Sequence, residues 1–446
     1  MEEILKKYTP VIGLEVHVEL KTNSKMFCGC DANYFGEKPN THTCPVCLGL
    51  PGALPVPNKK AIDWCIMIGM ALNCEISLVS KFDRKNYFYP DLPKGYQISQ
   101  YDEPFCTNGW VELSNGKKIG ITRVHMEEDT GKLIHEHIDG NGVSLIDFNR
   151  SGVPLVEIVT EPDFDSAEDV KEYLQRLQQI VRYLGVSNAD MDKGDMRLEP
   201  NISLRKVGET KLPPYKVEVK NINSFSFVEK AINFEIKRHA EILDTGTYPM
   251  QETRGFIEAG SKTVGQRSKE EAHDYRYFPE PDIPPIEFSK EEIAALMQSM
   301  PELPDAKKER FIKQYALSAY NADLLTRDKA LADFFEICCE DSGLVSVHPE
   351  PTHIANWLIN RKVDITKYMP ADVIMQIIEA SRVAGVDVDE LDDILKKVLE
   401  ENPEVVTSYK AGKTNVLMFL LGQAMKSLKG REKPEIIKEK LEKLLA

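Results

Sequence analysis

The chain has 446 residues, of which 42% are hydrophobic and 28% are charged, and this composition excludes a disordered or a collagen-like protein. Its 56 basic and 71 acidic residues give a formal net charge of −15, which excludes binding of nucleic acid by attraction over the whole surface. Any contact with RNA must therefore use a local basic patch or a surface that recognises shape.

The N-terminal residues and the cysteines indicate the cellular compartment of the protein. Residues 1–7 lack the apolar stretch of a signal peptide, and the longest uncharged apolar runs, such as 416–421, fall short of the roughly 20 residues that span a bilayer. Nine cysteines cannot all pair within one chain, and their spread does not resemble a secreted disulfide framework. We therefore expect a soluble protein of the reducing cytoplasm, with no membrane contact.

The first two thirds of the sequence predict a mixed α+β domain. Residues 11–20 alternate between apolar side chains at the even positions and polar ones at 15, 17 and 19, which is typical of a strand with one buried face. Because the elements lack the strand–helix–strand rhythm of a doubly wound sheet, the α+β class is favoured. Further strands are predicted at 119–126, 143–148, 154–160, 200–205 and 215–220, and helices at about 58–73, 166–184 and 226–244.

From Ser289 onward the sequence predicts helices only. Residues 289–292 read Ser-Lys-Glu-Glu, which is the spacing of a capping box at a helix start. Residues 410–446 carry nine basic residues against four glutamates, and two interpretations stay open: a solvated helical face or a patch that faces RNA. Further helices are predicted at about 304–317, 319–340, 370–384, 388–401, 413–429 and 434–445, with breaks at prolines 301, 349, 351 and 370.

Four cysteines form the sharpest local motif, with Cys-Gly-Cys at 28–30 and Cys-Pro-Val-Cys at 44–47. Two tight turns at this spacing would bring four thiolates together, and four thiolates are a ligand set for tetrahedral zinc. Because four sulfurs leave no open coordination position, such a site would be structural. Two alternatives stay open, namely four unligated core thiols and a site in which His42 replaces one cysteine.

A second group of candidate residues is acidic. The polar face of strand 11–20 offers Glu15 and His17, residues 125–129 read His-Met-Glu-Glu-Asp, and Glu157 lies within an apolar run. A buried carboxylate is unfavourable by several kcal/mol unless a cation pairs with it. Carboxylates with one imidazole suit Mg²⁺ or Mn²⁺, but an ordinary salt bridge, for example from Glu157 to Arg150, explains the same residues equally well.

Two segments, 82–98 and 274–282, combine aromatic, basic and proline residues. This composition is poor core material and is typical of binding loops, in which aromatic rings beside basic groups take nucleotides or unstacked RNA bases. The alternative is a proline-pinned loop that only packs. The sequence contains no Gly-x-Ser-x-Gly motif, so nucleophilic hydrolysis by this chain is not supported.

Five longer motifs, in register along nearly the whole chain, point to one family. They are Val-Ile-Gly-Leu-Glu-Val-His-Val-Glu-Leu at 11–20, Asp-Arg-Lys-Asn-Tyr-Phe-Tyr-Pro-Asp at 83–91, His-Met-Glu-Glu-Asp at 125–129, Asp-Phe-Asn-Arg-Ser-Gly-Val-Pro-Leu-Val-Glu-Ile at 147–158 and Asp-Tyr-Arg-Tyr-Phe-Pro-Glu-Pro-Asp at 274–282. Together they resemble the B subunits of the aspartyl/glutamyl-tRNA(Asn/Gln) amidotransferases. The long insertion of the related archaeal protein is absent, so the bacterial or organellar heterotrimer form fits better.

The resemblance implies an activity and its partners. Such a protein uses ATP and Mg²⁺ to phosphorylate the side-chain carboxylate of misacylated Glu-tRNA(Gln) or Asp-tRNA(Asn). Ammonia from the glutaminase site of the amidase, which is the A subunit, then arrives through a channel and displaces phosphate, and a small C subunit completes the enzyme. A second hypothesis, from a different class, is a zinc-stabilised scaffold that binds tRNA without any catalysis of its own.

The resemblance also implies the residues of the sites. By motif position the Mg²⁺ ligands would be His17, Glu128 and Glu157, with Glu15 close by. The Zn²⁺ ligands would be Cys28, Cys30, Cys44 and Cys47. The catalytic residues near the activated carboxylate or the ammonia route would be Lys85, Tyr87 and Lys94.

Three domains follow from the same resemblance. A cradle domain over 1–290 would hold the kinase and transamidase site and the zinc knuckle, a helical domain would cover 291–360, and a helical tail that contacts tRNA would cover 361–446. Two features depart from the family pattern. Residues 198–201 read Leu-Glu-Pro-Asn where most members have Cys-Asp-x-Asn, so this strand is assigned no role. A helical stretch is missing near 384–387, so we expect a weakened contact of the tail with the tRNA elbow.

Overall fold

A computed structural model describes residues 1–268, 275–342, 349–381, 388–410, 413, 416–428 and 434–445. The chain forms two compact units, Met1–Lys307 and Lys308–Ala446. The strands are β1 (Tyr8–Glu19), β2 (Glu75–Ile76), β3 (Val79–Ser80), β4 (Asp83–Asn86), β5 (Tyr96–Ser99), β6 (Cys106–Glu112), β7 (Lys118–Glu128), β8 (Lys132–Ile138), β9 (Asn141–Asp147), β10 (Pro154–Thr160), β11 (Met196–Lys206), β12 (Val217–Lys220), β13 (Glu252–Ile257), β14 (Lys262–Ser268), β15 (Phe278–Pro279) and β16 (Ile286–Glu287). The helices are α1 (Glu2–Leu5), α2 (Lys59–Ala71), α3 (Ala167–Tyr183), α4 (Phe225–Asp244), α5 (Lys290–Gln298), α6 (Pro304–Tyr315), α7 (Ala319–Thr326), α8 (Lys329–Ser342), α9 (Pro351–Arg361), α10 (Pro370–Ser381), α11 (Val388–Glu401), α12 (Pro403–Lys410), α13 (Leu417–Ser427) and α14 (Pro434–Leu445).

A nine-stranded sheet organises the N-terminal unit. Its strand order is β14-β13-β12-β11-β1-β10-β7-β6-β2, and its pairings are antiparallel except for the parallel pair of β12 and β13. The predicted strand 11–20 is β1, which pairs with β11 on one side and β10 on the other. The α+β class is thereby confirmed, and the most clearly alternating segment of the sequence lies at the centre of the sheet.

One face of this sheet is apolar and carries the core. Ile12, Leu14 and Val16 of β1 are buried there together with apolar side chains of α2, α3 and α4. Burial of such side chains is the main favourable term of folding. Residues 15, 17 and 19 of the same strand point to the opposite face, as the period of two requires. This polar face is therefore free to carry a site.

Two short pieces of sheet border the polar face. Strands β15, β4 and β5 form a three-stranded sheet, and β8 and β9 form a separate hairpin. The sequence predicted the second strand of this hairpin but not the first, and it did not predict the β13–β14 hairpin. The β8–β9 hairpin is largely exposed, and β8 and β13 lack a clean apolar alternation, so these strands give a weak sequence signal.

The C-terminal unit is helical, as predicted. One cluster of buried apolar side chains is formed by α6 to α10, and a second is formed by α11, α13 and α14. The predicted capping box at Ser289 is also present, with the Glu292 amide donating to the Ser289 hydroxyl, and its helix α5 belongs to the N-terminal unit. Among the described residues, no helix combines the length and the apolar character that crossing a membrane requires.

Three helix predictions in this part need correction. The segment 319–340 is two helices, because the Asp328 side chain accepts a hydrogen bond from the Leu331 amide and caps the second one. Pro351 begins α9, since proline suits the first helical turn. The predicted helix at 413–429 is α13, which begins at Leu417, and α12 precedes it. Residues 384–387, where the sequence departs from the family pattern, lie outside the described residues.

Candidate functional site

The polar face of the central sheet carries a row of charged side chains across four strands. In the register of the sheet, His17 of β1 lies opposite Arg197 of β11 and Glu157 of β10, and Glu157 lies opposite His125 of β7. Glu127, two residues beyond His125, faces the same side. The alternation of four neighbouring strands therefore assembles groups from distant parts of the sequence.

Three of these residues form a candidate metal centre, which we call the triad: His17, Glu127 and Glu157. Each offers one ligand atom, and these atoms lie within 4.8 Å of one another. Glu127 and Glu157 are 2% and 6% exposed. One imidazole and two carboxylates are a suitable donor set for Mg²⁺ or Mn²⁺, and the buried Nδ1 of His17 has no hydrogen-bond partner among the described residues.

Neighbouring imidazole and ammonium groups hold the pKa values of both triad carboxylates below the ordinary value. Burial alone raises the pKa of Glu157, but His125 and His17 outweigh it and bring the pKa to about 2. Nε2 of His125 lies 3.2 Å from Oε2 of Glu157. Burial also acts on Glu127, yet Lys85 and then His125 hold its pKa well below the ordinary value. The triad thus presents negative charge at neutral pH, as a divalent cation requires.

The structure does not bring Glu128, which the resemblance assigns to the Mg²⁺ site, to the triad. Its side chain points to the opposite side of β7, where its carboxylate lies 2.6 Å from Nζ of Lys94 and accepts from the Ile98 amide. The physical reason is the period of a strand, because adjacent residues face opposite sides. Of the two neighbouring glutamates, Glu127 is the one that lies beside His17 and Glu157.

Glu15 lies in a second acidic group on the same face, with Glu199 and Glu218. Nζ of Lys220 is 3.0 Å from Glu199 and 3.3 Å from Glu218 and offsets part of their charge. Burial and the charge of Glu157 raise the pKa of Glu15. The strand of Glu199 had no role assigned from the sequence, although the alternation of residues 196–204 indicates that this side chain shares a face with Arg197.

The two aromatic and basic segments, 82–98 and 274–282, border a cavity of about 850 Å³ over this polar face. Lys85 and Tyr87 line the cavity together with Tyr275 and Tyr277. Nζ of Lys85 is 3.2 Å from Oε1 of Glu127, so the structure brings Lys85 to the triad. Tyr87 donates a 3.3 Å hydrogen bond to Gln97. Asp274, the first residue of the second aromatic motif, lies outside the described residues.

The four cysteines of the double motif converge, and we call their segment, residues 28–47, the cysteine knuckle. Their four sulfur atoms, those of Cys28, Cys30, Cys44 and Cys47, all lie within 4.8 Å of one another. The sulfurs of Cys44 and Cys47 are 3.9 Å apart. A tetrahedral site with Zn–S bonds of about 2.3 Å needs about 3.8 Å between sulfurs, so the arrangement is compatible with a structural metal. His42 is not part of the group.

A buried lysine supports the cysteine knuckle. Lys25 has no exposed surface, and its Nζ donates to the His42 carbonyl at 2.7 Å and contacts the Cys47 sulfur at 3.7 Å. A hydrogen bond from Cys28 together with this charge lowers the pKa of Cys47 to about 4, against the effect of burial. A thiolate is the form that binds a metal.

Lys94 connects the cysteine knuckle to the sheet. Its ion pair with Glu128 lies in a small cavity of about 120 Å³ that Cys28 and Cys47 also line. Gly49 has a positive φ of 63°, and a Cβ there would lie 2.3 Å from Cγ of Lys94. Because Glu128 and Glu127 face opposite sides of β7, Lys94 lies on the other side of the sheet from the triad, whereas Lys85 lies beside the triad.

The basic chain end is partly neutralised within its own helices. Lys443 pairs with Glu439 at 2.7 Å and Lys440 with Asp392 at 2.5 Å. Paired and exposed lysines of this kind are typical of a solvated face. These two pairs agree with a solvated face, and they do not test the alternative of a patch that faces RNA.

Comparisons with known proteins agree with the motifs. A family model described as "GatB/GatE catalytic domain" matches residues 10–294, and one described as "GatB domain" matches 369–445. Relatives named as the B subunit of aspartyl/glutamyl-tRNA(Asn/Gln) amidotransferase are each 46% identical to the chain in Thermoanaerobacter sp. (strain X514), Dehalococcoides mccartyi (strain CBDB1) and Persephonella marina (strain DSM 14350 / EX-H1). The alignments cover 98%, 99% and 98% of this chain and 100%, 99% and 100% of the relatives.

Proposed function

Because this chain belongs to the family of aspartyl/glutamyl-tRNA(Asn/Gln) amidotransferase B subunits, we propose that it uses ATP to phosphorylate the side-chain carboxylate of Glu-tRNA(Gln), Asp-tRNA(Asn) or both. Ammonia then replaces the phosphate and leaves an amide. The partners are the amidase, or A subunit, which releases ammonia from glutamine, the small C subunit and the misacylated tRNA. The cytoplasm, where aminoacyl-tRNA is used, is the proposed location.

The observation that carries this proposal is the triad at the edge of a cavity lined by Lys85 and aromatic rings. A carboxylate is a poor electrophile, since its oxygens are poor leaving groups. When a carboxylate oxygen takes the γ-phosphoryl group of ATP, ADP leaves and an acyl phosphate forms. Attack of ammonia on the acyl carbon then expels inorganic phosphate. Both steps concentrate negative charge that fixed cationic groups stabilise.

His17, Glu127 and Glu157 would hold Mg²⁺, with Glu15 close by. The ion would supply positive charge next to the phosphoryl oxygens. Lys85 has an ion pair with Glu127 and lines the same cavity, so its ammonium group is suited to orient the reacting carboxylate or phosphoryl group. Tyr87 lies beside Tyr275, with 5.9 Å between ring centroids, and its contribution is to shape this wall.

Lys94 and Glu128 are assigned to the ammonia route. Their ion pair is almost buried, with the two side chains 9% and 3% exposed, and polar groups as well as apolar side chains such as Phe27 and Ile98 line the small cavity beside it. Ammonia is small and neutral, and exclusion of bulk water at such a site would keep it from being protonated. The pair lies on the other side of β7 from the triad, so ammonia would approach the activated carboxylate from that side.

The same resemblance assigns zinc to the cysteine knuckle, and metal analysis tests this directly. We expect one zinc ion per chain in the purified enzyme, and little or none after Cys44→Ser or Cys47→Ser, because each variant removes one of four ligands. Cys339→Ser, in α8, is the matched control and should leave the zinc content unchanged. If elemental analysis finds no zinc in the purified wild-type enzyme, this assignment is wrong.

The proposed domains are the cradle over 1–290 with both centres, the helical domain over 291–360 and the tRNA-contacting tail over 361–446. A second candidate function, a tRNA-binding scaffold without catalysis, has no observation in its favour. A scaffold does not need two carboxylates buried beside an imidazole.

The test of the proposed function is amide formation on purified Glu-tRNA(Gln) and Asp-tRNA(Asn), with glutamine or ammonium chloride as nitrogen donor. We expect Gln-tRNA, Asn-tRNA or both only when ATP and the complete heterotrimer are present. A correctly assembled complex that forms no amide and cleaves no ATP on either tRNA would instead favour the scaffold.

A further inference from the structure

Arg123 is a cation on the polar face that the proposed mechanism does not use. It lies on β7 two residues before His125 and faces the same side, and its side chain lines the 850 Å³ cavity. Its neighbours in the sheet are Val159 of β10 and Thr107 of β6, and neither can form an ion pair. The Nε atom is buried, and no residue in the described part of the chain accepts a hydrogen bond from it.

The lysines and the other arginine that line this cavity are different. Lys85 lies 3.2 Å from Glu127, Arg197 lies 2.7 Å from Asp129, and Lys220 lies 3.0 Å from Glu199. Each of them therefore has a carboxylate partner within the fold. The cavity also contains several carboxylates, yet within the described ranges none is within ion-pair distance of Arg123.

A guanidinium group whose buried N–H has no partner is unfavourable in the free protein. It becomes favourable when an anion enters, and the planar fork of arginine matches the oxygens of a phosphoryl group better than a single ammonium does. Along a strand, two residues span about 7 Å, which is the spacing from Arg123 to His125 on β7 and from its partner Val159 to Glu157 on β10. One polyphosphate group can bridge that distance to Glu157 of the triad.

We infer that Arg123 binds a phosphoryl oxygen of the nucleotide polyphosphate, next to the metal site formed by the triad. This rests on the proposed function, because the triad must first hold a metal and ATP must be the phosphoryl donor. The same chemistry would suit a phosphate of the tRNA backbone, but the position in the same cavity as the triad favours the nucleotide.

The test is nucleotide binding to the assembled enzyme, measured by titration calorimetry with ATPγS and Mg²⁺. We expect Arg123→Gln to weaken binding about 10- to 100-fold, as the loss of a hydrogen bond to a charged group predicts. Lys118→Gln, an exposed change at the start of the same strand, should leave the affinity within twofold of wild type. Affinity for Glu-tRNA(Gln) should change little in both variants.

Thermal unfolding separates binding from a structural role. Without nucleotide, Arg123→Gln should unfold at the wild-type temperature or above, because a buried N–H group without a partner has been removed. The increase in unfolding temperature that Mg²⁺ with ATPγS causes should shrink. Arg123→Lys keeps the positive charge but lacks the planar guanidinium group, so its nucleotide affinity should be intermediate. This variant provides a second measurement if the glutamine variant folds poorly.

Three results would overturn the inference: unchanged nucleotide affinity in both Arg123 variants, loss of tRNA affinity in place of nucleotide affinity, or lower stability without nucleotide at unchanged affinity. A failure of the proposed function looks different, because the wild-type enzyme itself would then neither bind the nucleotide nor form amide.

Discussion

Exchanging Glu127 for glutamine should lower ATP-dependent amide formation by the assembled enzyme about 10²- to 10³-fold, the size expected when several kcal/mol of charge stabilisation are lost. Glutamine keeps the shape of the side chain and its contacts with Gln97 and Ser99. It removes one of the two carboxylate ligands of the triad and leaves Lys85 without its partner. Phosphate release from ATP in the presence of Glu-tRNA(Gln) should fall in parallel with amide formation.

The neighbouring variant Glu128→Gln separates the two sides of the strand. Because Glu128 pairs with Lys94 away from the triad, we expect this variant to cleave ATP and to form less amide per ATP cleaved. Glu112→Gln, an exposed change on β6, serves as the neutral control. The opposite pattern, with normal ATP cleavage in Glu127→Gln and none in Glu128→Gln, would contradict the assignment of the metal site.

Replacing Arg197 by methionine should destabilise the fold by about 3–5 kcal/mol, because it leaves a buried carboxylate without its main partner. Asp129 is 3% exposed, and Arg197 holds it with two hydrogen bonds of 3.1 Å and 2.7 Å. Arg150, whose Nε lies 3.7 Å away, remains as a weaker partner. Urea unfolding at neutral pH measures the change.

The pH dependence of this effect has a definite sign. Burial raises the pKa of Asp129, but Arg150 and Arg197 outweigh it and hold the pKa below its ordinary value. The pair therefore stabilises the fold above the unfolded pKa of about 3.9, and this contribution is lost as the pH falls through the folded pKa. The deficit of the variant should accordingly stay constant from neutral pH down to about pH 4 and shrink only below it. Arg205→Met, at the end of β11, should show a small deficit that does not change with pH.

The centre of the fold was predictable from the sequence because its signal is local. The alternation of residues 11–20 identifies β1, its buried face and the polar face that carries His17. A carboxylate inside the apolar run of β10 indicates in the same way that Glu157 needs a cation. The family motifs then identify these residues as parts of one site. The comparisons confirm that the chain belongs to the family that the motifs indicate.

The choice between Glu127 and Glu128 could not be made in this way, and β7 shows why. Ile119 and Ile121 are buried at odd positions, whereas Val124 and Met126 are buried at even ones. The phase changes at an irregularity near Thr122, where the register with β10 shifts. A bulge of this kind inserts one residue and reverses the facing of everything beyond it. Extending the alternation of the first half of the strand would therefore place Glu128, and not Glu127, on the polar face.

The partners of the charged groups were also beyond the reach of the sequence. Arg197 and Asp129, or Lys220 and Glu199, come together through strand pairing over long separations, and nothing in their local sequence indicates the pairing. Helix ends in the C-terminal unit depend on single side-chain caps, such as that of Asp328, which interrupt an otherwise continuous helical pattern.

Phosphorylation of the substrate carboxylate is tested most directly by following one of its oxygen atoms. Glu-tRNA(Gln) labelled with ¹⁸O in the side-chain carboxylate is incubated with the assembled enzyme, ATP, Mg²⁺ and ammonium chloride, and the released phosphate is analysed by mass spectrometry. If the carboxylate is phosphorylated and ammonia then displaces phosphate, each phosphate released by amidation carries one ¹⁸O atom. Unlabelled phosphate, formed at the same rate as the amide, would contradict activation of the carboxylate by phosphoryl transfer.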